Sequence, residues 1–473
     1  MLLSQLSADG APIEIASLAY DSRYAAPGSL FFCVPGSRSD GHEHAAAAVA
    51  RGAVALVVER PLRLGVPELG VKSVRAAMAP IAVRFYGDPS ASLRVVGVTG
   101  TNGKTTCVFV LAALLEAAGE QCALLGTVKS VIGGREGPVL HTTPEAIDLQ
   151  ASFRAMLDAG DRACAMEVSS HALALHRVDG THFAAALFTN LTQDHLDFHA
   201  TMEDYFASKR RLFESAPGVR VINVDDPYGR RLAQHYPDAV TFALSEPADY
   251  GARDLRFGVA GAQFVATTPD GDLELRSRLP GRFNVANVLG ALATAHALGV
   301  PLGTIADALP AVAPAPGRFQ ALDEGQPFTV LIDYAHTPDS LENVLRAARS
   351  LTEGRLISVF GCGGDRDRGK RPQMGRISTE LADLTIVTSD NPRSEDPAAI
   401  VAEILSGVEA VGEAVEAIVD RHDAIAQAIS LAQRGDVVVI AGKGHEQGQE
   451  FEGGRKVAFD DAQVARSELR ARA

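Results

Sequence analysis

Short apolar runs punctuated by Gly and Pro recur along the whole chain. Before residue 90, Ser29–Val34 and Ala53–Val58 read as buried strands, with an Ala-rich helix at His44–Arg51 between them. Gly87-Asp-Pro-Ser90 is turn chemistry, and the run Leu93–Val98 directly after it reads as a new strand, so a domain boundary falls near residue 90. From there to about residue 313, strand-like runs (Cys122–Leu125, Ala163–Val168, Ala184–Thr189, Val219–Val224) alternate with helical stretches, the rhythm of a doubly wound parallel sheet. Asp254–Leu279 breaks it: period-two alternation with an Asp-Gly turn predicts antiparallel hairpins, followed by a helix at Asn284–Leu298. Pro310, Pro314 and Pro316 mark a second linker. Beyond them Phe328–Asp333, Leu356–Phe360, Leu384–Thr388 and Asp436–Ile440 resume the strand–helix alternation. The prediction is an α/β protein of three domains, 1–90, 91–314 and 315–473, with a large site in the clefts at the C-terminal ends of the strands.

Composition narrows the class. At 473 residues, 47% hydrophobic and 22% charged, the chain is long enough for several cores and fits neither a disordered nor a fibrous protein. Lys plus Arg number 44 against 58 Asp plus Glu, a net charge of −14 without a long basic run, which speaks against nucleic acid or an anionic membrane surface as partner. An anionic substrate must therefore be met by local basic residues. No apolar stretch reaches the roughly 18 residues of a membrane span, and Met1–Gly10 lacks the charge and hydrophobic core of a signal peptide, so a cytoplasmic protein is expected. Cys33, Cys107, Cys122, Cys164 and Cys362 are scattered without C-x-x-C pairs and read as buried apolar residues.

The strand ending at Val98 runs into Thr99-Gly100-Thr101-Asn102-Gly103-Lys104-Thr105-Thr106 and then an apolar helix, Cys107–Ala118. Strand, glycine loop and helix in that order suit triphosphate binding: backbone N–H groups turn on phosphate oxygens, Lys104 adds charge at the β/γ end, and the Thr105 hydroxyl can ligate Mg2+. The spacing is G-x-x-G-K-T, shorter than the strict P-loop, since position 98 is Val. Glu167, at the end of the run Ala163–Val168, stands where a further magnesium ligand belongs. Asp194, His195, Asp197 and His199 can be read as a zinc site, although hard-cation or substrate contacts suit a phosphate enzyme better. Lys209, Arg210 and Arg211 on the predicted helix Met202–Glu214 read first as a solvated basic face.

Taken together, Gly100–Thr106, Thr142-Thr143-Pro144, Glu167–His171, Asn190–His199, Asp333–Pro338, Gly361–Arg366 and Asp390–Arg393 resemble the Mur ligases of peptidoglycan synthesis, over nearly the whole chain. Their order and spacing are similar to the branch that adds meso-diaminopimelate as the third amino acid. The resemblance implies an ATP-dependent ligase: a central P-loop domain flanked by an N-terminal UDP-binding domain and a C-terminal Rossmann-like domain.

Residue by residue, it implies UDP-substrate contacts from Tyr20, Ser22, Ser37, Arg38 and Ser39, and grip on the sugar-peptide from Thr142, Thr143, Ser169 and Arg177. His141 departs from the usual Asn before Thr-Thr-Pro, and Leu175 from the usual Gln two residues before the Arg. ATP contacts fall on Gly100 to Thr106, Asn287, Arg318 and Asp333. Two magnesium ions are implied, one on Thr105 and Glu167, the other on His195 and Lys209, the latter as a CO2-derived carbamate. Lys104, Lys209 and His195 form the catalytic set. Diaminopimelate contacts fall on Arg366, Asp390, Asn391, Pro392, Arg393, Gly442 and Glu446. A guanidinium at Arg393 suits the extra carboxylate of diaminopimelate, which lysine lacks; read without the other motifs, Asp390–Arg393 is a turn before a helix. The substrates implied are small molecules and the chain a monomer. A lysine-adding relative, a folylpolyglutamate synthetase and a P-loop switch or transport ATPase are the alternatives.

Overall fold

The computed structural model describes residues 1–36, 39–215, 218–258, 260–408 and 414–472. Ser37 and Arg38, two expected substrate contacts, lie outside the described residues. The chain divides into two compact units, Met1–Thr99 with Gly119–Ala186 and Ser208–Arg220, and Gly100–Ala118 with Leu187–Ala207 and Val221–Ala473.

In the first unit, Ser17–Ala19, Ser29–Phe32, Ala53–Val58 and Glu68–Gly70 form a parallel sheet in chain order. The helix Val74–Tyr86 covers it, its start capped by Ser73 Oγ, which accepts from the Ala76 N–H at 3.3 Å. Leu30, Phe32, Val57, Met78 and Ile81 share one core with Ile147 of the helix Ala146–Ala159. A further set of strands pairs Arg94–Thr99 with Ala163–Glu167 and the latter with Cys122–Leu125, all in parallel. Every residue of Cys122–Leu125 and Ala163–Glu167 is buried, which is why these runs read as continuously apolar rather than alternating. An antiparallel hairpin, Ser130–Ile132 with Arg135–Gly137, extends from Cys122–Leu125 and departs from the all-parallel expectation.

In the second unit, the helix Lys104–Ala117 packs on the helix Arg282–Ala297. The period-two segment is antiparallel as expected, with Gly251–Gly258, Gly261–Thr268 and Gly271–Ser277 in sequence; Ala262, Phe264 and Ala266 point inward while Gln263 between them is exposed. Six strands make the remaining large sheet, in the order Gln320–Leu322, Thr329–Asp333, Val437–Ala441, Leu356–Phe360, Leu384–Val387, Val415–Ala417. Only the first pair is antiparallel. The late strand Val437–Ala441 is thus inserted between the two early ones, and the loops after residues 333, 360, 387 and 441 leave from one edge of the sheet, the position of ligand sites in such folds. Among the described residues no helix is long and apolar enough to cross a membrane.

Candidate active site

The phosphate loop is built by close approach. A Cβ on Gly100 would stand 1.8 Å from Thr189 Oγ1, and one on Gly103, at φ +87°, 2.2 Å from Asn287 Oδ1. Both positions therefore exclude a side chain. Gly103 precedes the helix Lys104–Ala117 without a side-chain cap, and the N-terminal end of a helix is where backbone N–H groups and the dipole favour an anion. The loop is fixed from outside: Thr101 N–H donates to Asn190 O (2.9 Å), Asn102 N–H to Asn190 Oδ1 (2.8 Å), and Asn102 Nδ2 to Asp339 Oδ2 (2.7 Å). Thr101 Oγ1 lies 3.2 Å from Tyr205 Oη and donates to Thr192 O. Lys104 Nζ donates to Gly100 O and Thr101 O, both at 2.9 Å.

Beside this loop is a cavity of about 300 Å3 that brings together Asn102, Gly103, Thr106, Asn287, Arg318 and Asp333. Arg318 Nη2 donates to Thr105 Oγ1 at 3.0 Å, and its guanidinium lies over the Tyr334 ring, 4.5 Å from the centroid. Asp333 accepts from the Phe319 N–H at 2.7 Å; burial pushes its carboxyl up to about 6, against the opposing pull of Arg318 and that N–H. Asn190, Asn223, Asp226, Tyr334 and Asp339 line the same cavity and were not singled out as nucleotide contacts from sequence. Asn190 and Tyr334 lie within quoted motifs and Asp339 directly after one, whereas Asn223 falls within and Asp226 after the predicted strand Val219–Val224, with no motif to mark them.

The expected metal ligands can be placed one by one. The Thr105 hydroxyl is on the first turn of its helix. Glu167 is 1% exposed, and its carboxylate accepts from Thr127 N–H (2.8 Å) and Oγ1 (3.1 Å). His195 takes a left-handed backbone conformation (φ +55°) and sets Nε2 3.3 Å from Asp194 Oδ2. Burial alone would raise the Asp194 carboxyl; His195, His336 and Lys370 outweigh it and hold it well below the usual range. Lys209 is 1% exposed, which corrects its reading as part of a solvated face. It shares an inward stripe with Tyr205, Phe206, Leu212 and Phe213, while Arg210 and Arg211 stay partly exposed. Thr105 and His195 belong to the second unit and Glu167 and Lys209 to the first; hydroxyl, carboxylate and imidazole are donor types that suit a hard cation. Among the described residues no group of three or more His, Cys, Asp or Glu is arranged to hold a metal. His199 stacks on Tyr205, and Asp197 faces Arg366 at 3.7 Å.

In the first unit, Arg177 ties the expected sugar-peptide residues together. Its Nη1 donates to Thr143 O (3.1 Å) and its Nη2 pairs with Glu145 (2.9 Å), while Thr143 Oγ1 donates to Glu167 O and accepts from the Ser169 N–H. Thr142 Oγ1 is 3.0 Å from Thr127 Oγ1, and the Tyr20 hydroxyl donates to Asp148 at 2.6 Å. His141, Thr142 and Asp148 line a second cavity of about 130 Å3; burial, then Arg177, lowers the His141 pKa. Ser22 opens a turn capped by Asp21, and Ser39 Oγ lies 2.7 Å from His44 Nε2.

At the edge of the six-stranded sheet, Asn391 Nδ2 donates to Glu446 Oε2 (2.8 Å), and Arg393 donates through Nη1 to Gly364 O (2.7 Å) and faces Glu450 through Nε (3.3 Å). A Cβ on Gly442 would meet Asp390 Oδ2 at 2.8 Å. Pro392 O packs so tightly on Gly364 that a Cβ there would be 1.9 Å away. Arg366 is more exposed than these. The following helix, Pro397–Leu405, is capped by Asp396, so Asp390–Arg393 is not its cap. Lys443, fully buried between Gly442 and Glu446, escaped the sequence reading because a lone Lys in a Gly-rich loop carries no spacing signal.

The glycine loop, its cavity and the charged loops beyond it define a nucleotide-dependent enzyme of the Mur ligase family, to which this chain belongs. Residues 14–86 match the Mur ligase family catalytic domain, 98–295 the Mur ligase middle domain and 317–444 the Mur ligase glutamate ligase domain. The chain is 47% identical over 472 residues to a Geobacillus thermodenitrificans protein named UDP-N-acetylmuramoyl-L-alanyl-D-glutamate--2,6-diaminopimelate ligase, covering 97% of this chain and 96% of that one. A Synechococcus elongatus protein of the same name is also 47% identical, covering 97% and 94%. A solved structure of a protein so named superposes with a TM-score of 0.69 at 35% identity, covering 100% of this chain and 99% of that one. MurF from Acinetobacter baumannii shares the fold, with a TM-score of 0.70 at 20% identity over 100% and 98% of the two chains.

Proposed function

We propose that this chain is an ATP-dependent amide-bond ligase joining meso-diaminopimelate to the D-glutamyl γ-carboxylate of UDP-N-acetylmuramoyl-L-alanyl-D-glutamate, in cytoplasmic assembly of peptidoglycan precursors. The observation that carries this reading is 47% identity to ligases of that name over 97% of the chain. Arg393, Asn391 and Glu446 gathered at one sheet edge support the choice of amino acid, since a guanidinium and a carboxylate match the distal carboxylate and ammonium of diaminopimelate.

In this reading residues 1–90 hold the UDP end of the substrate, with Tyr20, Ser22 and Ser37 to Ser39; residues 91–314 hold ATP; and residues 315–473 hold the amino acid. Thr142, Thr143, Ser169 and Arg177 grip the sugar-peptide. The substrate γ-carboxylate attacks the γ-phosphorus of ATP, forming an acyl phosphate and releasing ADP; the neutral amine of diaminopimelate then attacks the acyl carbon and expels phosphate. Lys104, which bonds two carbonyls of its own loop, exchanges them for phosphate oxygens and offsets the charge that builds up there. Thr105 and Glu167 would hold one Mg2+, and His195 with a carbamate on Lys209 a second, supplying further positive charge against the phosphates. Arg366 and Gly442 complete the amino-acid site, and the protein acts as a monomer.

The test is ADP release with UDP-N-acetylmuramoyl-L-alanyl-D-glutamate and ATP, comparing meso-diaminopimelate, L-lysine and no amino acid, with product mass recorded. Turnover with diaminopimelate alone is expected. Preference for lysine would overturn the amino-acid assignment, and hydrolysis without product would replace the ligase by a switch ATPase.

A further inference from the structure

Lys443 is 0% exposed, and its ammonium is surrounded by groups from both loops that carry the expected amino-acid contacts. Its Nζ donates to Asn391 Oδ1 at 2.9 Å and to Glu446 Oε2 at 2.9 Å, and stands 3.5 Å from Asp390 Oδ1. These contacts fix more than position. With Asn391 Oδ1 accepting from Lys443 and from the Glu450 N–H (3.0 Å), the amide is oriented with Nδ2 on Glu446. Glu446 Oε2 then receives two donors, while among the described residues Oε1 has the Tyr334 hydroxyl alone, at 3.4 Å, so one oxygen is anchored and the other is left to a ligand. Burial would raise the Glu446 carboxyl; Lys443 and Asn391 outweigh it and keep it ionised. Asp390 Oδ1, buried and without a hydrogen bond, faces the same ammonium at ion-pair distance.

We infer that Lys443 is a positioning residue for amino-acid recognition: its buried ammonium locks Asn391 and Glu446 into the arrangement that receives the distal ammonium of the amino-acid substrate. Lys443 bonds two protein acceptors and faces a third, Asp390 Oδ1, at ion-pair distance, so its charge is taken up by the protein rather than by the ligand. The inference rests on the proposed function, because it takes the cluster to be an amino-acid site. It adds a residue through which recognition depends on a cation inside the protein, with the carboxylate held ionised before the substrate arrives.

The experiment is steady-state kinetics of the full-length protein and of Lys443→Met, varying each substrate in turn, with thermal unfolding of both. Lys443→Met should raise the KM for meso-diaminopimelate roughly tenfold to hundredfold, the effect of losing a charge-assisted buried contact, while KM for ATP and for the UDP-substrate stay within about twofold. Lys443→Gln, which keeps a donor but not the charge, should fall between wild type and Lys443→Met and guards against a folding failure of the latter. A folded Lys443→Met with unchanged KM for diaminopimelate overturns the inference, as does a parallel rise in all three KM values or loss of folding in both variants. Absence of diaminopimelate-dependent turnover in the wild-type protein would instead sink the proposed function, so the two failures are distinguishable.

Discussion

Two sites in the second unit use opposite materials. The phosphate loop is made of backbone, with Gly100 and Gly103 brought against Thr189 and Asn287 and its N–H groups and carbonyls held by Asn190 and Lys104. The loops after Thr388 and Ala441 are made of polar and charged side chains: Asn391, Lys443 and Glu446 bond one another, and Arg393 bonds Gly364 O and faces Glu450, before any ligand arrives. Backbone donors suit phosphate, whose oxygens look alike from many sides. Side-chain charges suit a ligand whose identity depends on where one carboxylate and one ammonium sit. The first arrangement can tolerate little change in shape, the second little change in charge.

The sharpest break in this comparison comes from removing the one cation of the phosphate loop. Lys104→Met should lower kcat by about a thousandfold or more, leaving diaminopimelate binding by calorimetry unchanged. Lys209→Ala should abolish ligation to a similar degree, and partial rescue by short carboxylic acids would report the missing carbamate; full activity of Lys209→Ala at limiting Mg2+ would remove it from the mechanism. Next in size, Arg393→Ala should cut kcat/KM for diaminopimelate by roughly a hundredfold with the KM for ATP unmoved, a charge effect confined to the second site. Gly103→Ala tests shape: with a left-handed φ and a Cβ 2.2 Å from Asn287 Oδ1, it should raise the KM for ATP about tenfold and cost about 1–2 kcal/mol in denaturant unfolding.

An effect read in stability rather than in turnover concerns Asp333, whose carboxyl is pushed up to about 6 by burial. A raised folded-state pKa means that the native protein binds this proton more tightly than the unfolded chain. The associated stability is therefore present below the ordinary carboxylate range and lost as pH rises through about 6. Asp333→Asn cannot ionise, so its Tm relative to wild type should increase between pH 4.5 and pH 7.5, by an amount corresponding to roughly 2–3 kcal/mol. A pH-independent difference would show that the carboxyl is not perturbed.

Long apolar runs made most of the fold legible in the sequence. The expected strands at Cys122–Leu125, Ala53–Val58 and Leu356–Phe360 have those bounds in the structure, because a fully buried parallel strand has no polar residue to blur its ends. The helix Val74–Tyr86 escaped because Pro80 stands inside it, and Ser130–Ile132 with Arg135–Gly137 because half-exposed three-residue strands carry no periodic signal. In the site, motif residues were legible as types while their partners were not. Lys209 looked solvated beside two arginines, yet its spacing from Tyr205, Phe206, Leu212 and Phe213 already set it on the inward stripe. Glu446 was singled out, whereas Lys443, the residue it bonds, depends on a contact with Asn391 52 positions away.

All five cysteines are buried, with burial pushing Cys33 and Cys362 up to about 12 and Cys164 well above the ordinary thiol range. At neutral pH Cys33, Cys164 and Cys362 are held as thiols while the fold is closed, so their alkylation must wait for local opening. The native chain thus carries its own clocks: Cys164 in the sheet of the first unit and Cys362 beside the six-stranded sheet of the second, each timing how often its surroundings breathe, with no label or substitution introduced.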